Sequence, residues 1–232
     1  METLDQGFLR VDQADQVTRT AFIRKTYEHV AGAVLAFIGV EALLLNIPGI
    51  EKMVVLMTSG YAWLIVLGLF MFATNYAEKL ALSSHDKQQQ YIGLGLYIVA
   101  EAVIFVPLMY IAMMYSSPSV INQAAVITLA LFTGLSAVVL TTGKDFSFLR
   151  SAITIGSIIA LGLIVAGILF GFNMGLWFSV GMVVLAAGSI LYQTSNMVHK
   201  YSTDQHVAAA LGLFASLMLL FWYIIQILMS RD

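Results

Sequence analysis

Seven long apolar stretches alternate with short polar joints along this chain. They cover approximately residues 27–47, 54–76, 91–115, 122–142, 150–170, 175–197 and 207–229. All are rich in Leu, Ile, Val, Ala, Phe, Met and Gly, and none has the strict two-residue alternation of a barrel strand. About 20 mostly apolar residues cross a bilayer's hydrocarbon core as an α-helix. The pattern therefore predicts an all-α integral membrane protein with seven transmembrane helices. The joints near Pro48, Ser116–Pro118 and Gly171–Asn173 are only a few residues long. No soluble domain fits between spans, so residues 24–232 read as one membrane domain and residues 1–23 as a polar tail.

Composition agrees. Of 232 residues, 60% are hydrophobic and 10% charged, against about 25% charged in a soluble domain. Such a chain cannot cover a water-facing surface, and lipid becomes its solvent. The net charge of -2 comes with no basic patch for phosphates, so nucleic acid is not an expected partner. There is no cysteine, which removes disulfides, thiolate catalysis and zinc–thiolate sites. The first 23 residues hold acids and amides but no apolar core of a signal peptide. Leu4, Phe8, Leu9 and Val11 are too few for a firm amphipathic turn, and the stretch reads as disordered.

The cations set the orientation. Arg10, Arg19, Arg24, Lys25, Lys79, Lys87, Lys144, Arg150 and Lys200 fall on one side of the membrane, Lys52 and Arg231 on the other. Nine against two predicts a cytoplasmic N-terminus and an external C-terminus, which requires an odd number of spans.

Small residues predict close helix contacts, since helices in lipid associate by packing. The fifth span has Gly156, Ala160, Gly167 and Gly171 on roughly one stripe, and the seventh has Ala208, Gly212 and Ser216. Structural packing is the expected use of both. Two carboxylates fall at bilayer depth: Glu41 in the first span and Glu101 in the third. An ionised group at the bilayer centre costs at least about 2.5 kcal/mol, and no Lys or Arg lies at matching depth. Each is expected to be protonated, paired or facing a polar cavity. Pro107 follows Glu101 in the same span, cannot donate to the Val103 carbonyl, and predicts a kink. Glu101 is thus expected to face the interior near Ser216. It serves there either as a structural, hydrogen-bonded acid or, with Glu41, as a proton or cation site. His29, His85, His199 and His206 fall at helix ends on the N-terminal side and read as surface histidines. Asp145, with Lys144 and Arg150, reads as part of a solvated turn.

Several segments resemble the Bax-inhibitor family: FIRKTYEHVAGAVLAF (22–37), LTTGKDFSFL (140–149), ILYQTSNMVHKY (190–201) and LGLFASLMLLFWYIIQIL (211–228). ILYQTSN, LTTGKDFSFL and the terminal SRD are most similar to its bacterial YccA-like subgroup. The resemblance implies a bundle of six helices around a central seventh, and residence in a bacterial inner membrane. It also implies two functions. Many members are pH-sensitive calcium leak channels using one aspartate on the sixth helix and one on the seventh. The YccA-like subgroup restrains the membrane protease FtsH. In this chain the two aspartate positions are Gln193 and Ser216. Neither side chain ionises, so a proton shared between repelling carboxylates cannot run on them. An amide and a hydroxyl are also poor replacements for the charged oxygens that Ca2+ prefers. The expectation is therefore a modulator of FtsH, with a calcium or proton leak as the alternative. The polar tail is then a natural handle for the protease, because AAA machines grip unstructured segments.

Catalytic residues are not expected. The chain lacks HExxH, GxSxG, cysteine and any membrane-depth histidine. No metal site and no cofactor are predicted.

Overall fold

The structure, a computed structural model, describes residues 9–82, 86–117 and 119–231. Among these, a short 3-10 turn (Val11–Gln13) precedes eight α-helices: α1 (Gln16–Leu45), α2 (Ile50–Thr58), α3 (Ala62–Leu82), α4 (Lys87–Tyr115), α5 (Val120–Thr142), α6 (Leu149–Phe170), α7 (Gly175–His199) and α8 (His206–Met229). Seven of them, all but α2, are long and apolar enough to cross a membrane. The protein is a multi-pass membrane protein. We call the end of the bundle where α1 starts the base and the opposite end the top.

Local chemistry marks the helix ends. Asp15 begins α1 by accepting hydrogen bonds from the backbone N–H groups of Val17 (3.1 Å) and Thr18 (3.3 Å), and Asp86 caps α4 through Gln88 N–H at 2.9 Å. Each satisfies donors that a helix start leaves unpaired. Gly143 (φ +62°) and Gly171 (φ +71°) close α5 and α6, in a left-handed conformation that glycine adopts at little cost.

The second span departs from expectation. The apolar run at 54–76 is not one helix. It breaks after Thr58, whose hydroxyl turns back to the Val54 carbonyl (2.8 Å), and Gly60 takes φ +50°. α2 is a short helix at the top, and the crossing helix is shifted toward the base, Ala62–Leu82.

α8 is the centre of the bundle. Sixteen of its 24 residues are buried, and it packs against α1, α3, α4, α5 and α7. By contrast only Ala160 and Gly167 are buried on α6, which leans on α7. Round α8, neighbour follows neighbour from α3 through α4, α5 and α7 to α6. The expected small-residue stripes are used unevenly. Gly156 lets the Leu185 side chain of α7 approach, and Gly212 lies against Gln193. Gly171 is the end cap of α6 rather than part of a stripe. α4 runs unbroken through the buried Pro107.

The start of the chain is ordered from Leu9 onward, contrary to a disordered tail; residues 1–8, with Leu4 and Phe8, lie outside the described residues. Val11 is fully buried. Its N–H donates to the Tyr201 carbonyl (3.0 Å), Thr203 N–H donates to the Leu9 carbonyl (3.0 Å), and the Arg10 guanidinium donates to the His199 carbonyl at the end of α7. Arg10 and Ser202 form an antiparallel bridge. The cause is the α7–α8 connection, whose backbone groups lie outside the helix ladders and pair with an extended partner. α1 likewise begins well before the apolar stretch, because at about 1.5 Å per residue a helix of 30 residues outreaches a hydrocarbon core of about 30 Å.

The closest approach of one helix backbone to another at a glycine predicts a measurable loss. A Cβ on Gly93 would lie 2.6 Å from the Ala77 carbonyl oxygen, so Gly93→Ala forces α3 and α4 apart. It is expected to destabilise by about 1–3 kcal/mol, the range for overpacking, in detergent unfolding. Gly95→Ala, with open space at its Cβ, is expected to leave the midpoint in place.

Candidate functional site: an acid-bearing cavity beside the central helix

A cavity of about 1070 Å³ runs alongside α8, with walls from α3, α4, α6 and α7. It extends from the exposed α6–α7 connection and Ser230 at the top down to Glu78 and Gln193. α3 and α6, the two ends of the arc round α8, flank it. Three of the four membrane-depth positions singled out in the sequence meet here: Glu101, Gln193 and Ser216. Glu101 stands halfway along α4 and is 6% exposed. Tyr97, one turn earlier on the same helix, lines the same cavity.

Across the cavity the polar groups are neutral. The Ser216 hydroxyl donates to the Gly212 carbonyl one turn back (3.0 Å) and therefore accepts from Ser189 of α7 (2.8 Å). A Cβ on Gly212 would lie 3.0 Å from Gln193 Oε1, so the amide rests on the bare backbone of α8. Nearer the top, Ser179 donates to Gln226 Oε1 (3.2 Å). Glu78 of α3 lines the same cavity. The apolar run at 54–76 stops short of Glu78, but the break at Gly60 moves the crossing helix toward the base and leaves Glu78 four residues inside it. Among the described lining residues there is no Lys, Arg or His.

The family model described as "Inhibitor of apoptosis-promoting Bax1" matches residues 19–232. The chain belongs to the Bax-inhibitor family. It is 39% identical over 110 residues to an uncharacterized protein of Pseudomonas aeruginosa, covering 47% of this chain and 49% of that protein. It is 35% identical over 108 residues to the "Modulator of FtsH protease YccA" of Escherichia coli, covering 45% and 49%. It is also 27% identical over 225 residues to "Protein LIFEGUARD 4" of Arabidopsis thaliana, covering 92% and 86%. With the first two, the chain spans about half the length of the relative.

Other polar residues of this Bax-inhibitor family chain lie elsewhere. Glu41 is 3% exposed and both its carboxyl oxygens lack a hydrogen-bond partner. It sits four residues from the end of α1 and does not line the cavity. His206 is not a surface histidine: it is 5% exposed, edge-on to Phe22 and with its ring centroid 4.9 Å from that of His29. His29 Nδ1 donates to the Lys25 carbonyl (2.7 Å), so Nε2 accepts from the Tyr91 hydroxyl (2.8 Å). No spacing in the sequence signals this cluster, because the crossing of α1, α4 and α8 creates it. His85 lies outside the described residues. No group of three or more His, Cys, Asp or Glu able to hold a metal occurs among the described residues.

Asp145, in the α5–α6 connection, ties that connection to α7. Its carboxylate accepts from Ser147 N–H (2.8 Å), the Ser147 hydroxyl (3.1 Å) and the Ser195 hydroxyl (3.1 Å). The Ser147 N–H foremost, then the two hydroxyls and nearby His199, hold the Asp145 carboxyl below the usual range. A depressed folded-state pKa gives stability that is complete above the unfolded value, about 3.9, and is lost as pH falls through the folded value. Asp145→Asn is therefore expected to lower the melting temperature at neutral pH. The gap to wild type should stay constant down to about pH 4 and close below it, as followed by thermal denaturation in detergent.

Proposed function

We propose that this chain modulates an FtsH-type protease from within a bacterial inner membrane, with its N-terminus in the cytosol. The similarity to the E. coli protein named for that role carries the reading. Neutral Gln193 and Ser216, where the resemblance implies aspartates, favour it over an acid-pair channel. The gathering of Lys and Arg at the base supports the orientation. In this reading the chain start is the segment a protease grips. Traction there first meets the hydrogen bonds that Leu9 and Val11 make to the α7–α8 connection. The test is affinity purification from native membranes together with turnover of a membrane substrate. The protease is expected to co-purify, and overproducing this chain should slow degradation severalfold. Unchanged turnover with no co-purification removes the reading.

A second reading has its own observation. Glu101 and Glu78 share one cavity with Gln193 and Ser216, which supports passage of protons or Ca2+ along α8. In liposomes holding the purified protein, a pH-dependent flux is expected to fall at least tenfold in Glu101→Gln. Flux that is absent, or indifferent to that substitution, ends it.

A further inference from the structure

The cavity has an unusual combination of linings. Two carboxyl groups, Glu78 and Glu101, point to it from adjacent helices, and no cationic side chain among the described residues answers them. A carboxylate placed in a hydrocarbon environment is costly unless a counter-charge accompanies it. The walls above Glu101 are aromatic. Trp63 of α3 stacks on Trp222 of α8 with centroids 6.3 Å apart and planes at 22°. Phe105, one turn above Glu101 on α4, meets Trp222 edge-on at 4.9 Å. The volume, about 1070 Å³, is just above the usual range for small-molecule sites.

These features complement one class of ligand. An inorganic cation would satisfy the acids but would leave the aromatic upper part of the cavity without a matching group. A neutral lipid chain would suit the aromatics and leave the acids unanswered. An anion meets two carboxylates. A molecule with one positive charge and an apolar body answers both: its charge lies in the acid-bearing lower part of the cavity, and its body lies against Trp63, Trp222 and Phe105. Aromatic faces also attract organic cations directly, worth about 0.5–2 kcal/mol each depending on desolvation.

We propose that the cavity beside α8 binds amphiphilic organic cations, such as lipophilic amines or phosphonium ions, with Glu101 and Glu78 as the charge-recognising residues and Trp63 and Trp222 as the aromatic wall. The proposal rests on the second reading above, in that the same acid-bearing cavity is the functional site, but it names a ligand of a different class from protons or Ca2+.

The indole groups give the readout. Trp63 and Trp222 line the cavity, whereas Trp177 is 84% exposed and is removed by Trp177→Phe. The probes are tetraphenylphosphonium and tetraphenylborate, which share a shape and differ in sign. In zwitterionic lipid nanodiscs at mildly alkaline pH, the phosphonium is expected to quench the remaining tryptophans saturably, and the borate is not. Glu101→Gln should weaken phosphonium binding at least tenfold. Glu78→Gln, at a half-buried position nearer the base, should weaken it severalfold and covers the case in which the first variant does not fold. Equal binding of the two probes overturns the proposal, as does phosphonium affinity unchanged in both variants. Proton and Ca2+ flux measured in liposomes without phosphonium separates the two ideas. Saturable, acid-dependent phosphonium binding without flux removes the leak reading and keeps this site. Flux with no phosphonium binding does the reverse.

Discussion

Peptide groups in hydrocarbon have no water to bond to, so every crossing segment must satisfy its own backbone. Each crossing is therefore a helix. The next question is which helix can afford to be apolar on every side. In this bundle it is α8, whose residues from His206 to Phe214 are buried without interruption. A helix with no lipid-facing side belongs in the middle. The others then divide their surfaces, one face to α8 and one to lipid. The small residues follow from this geometry. Gly93 admits α3 to α4, and Gly212 admits Gln193 to α8.

The same geometry distributes polarity. Four consecutive polar residues on α7, Gln193 to Asn196, point in different directions because successive helical residues turn about 100°. Gln193 faces the cavity, Thr194 lies beside the Tyr27 hydroxyl of α1, and Ser195 holds the α5–α6 connection through Asp145 and the Phe146 N–H. One short run of sequence therefore serves the cavity, the inner packing of the bundle and its base. The neutral character of Gln193 and Ser216 leaves the ionisable groups of the cavity to α3 and α4 instead.

Much of this was legible in the chain. The seven crossings follow from apolar length, the central last helix was implied by the family resemblance, and Glu101 lines one cavity with Ser216, as a membrane-depth acid with no Lys or Arg at its level was expected to do. What escaped was set by breaks and by crossings. Gly60 interrupts an apolar run that hydropathy reads as continuous, and with that shift Glu78 enters the cavity. Helix crossing buries His206 against His29 and Phe22, which no interval in the sequence encodes. The order of residues 9–15 depends on backbone groups of the α7–α8 connection, some 190 positions away in the chain, and composition alone reads such a segment as loose.

That remote pairing has a mechanical meaning. The α7–α8 connection also holds the end of α3, where the Gln205 amide donates to the Leu82 carbonyl at 3.3 Å. Three parts of the molecule are thus knotted at one place: the opening residues, the foot of the helix carrying Glu78, and the hairpin carrying Gln193 and Ser216. Force applied to residues 9–11 is held by these bonds. It is delivered to the elbow between α7 and the central α8, and the floor of the cavity is the first thing it can deform.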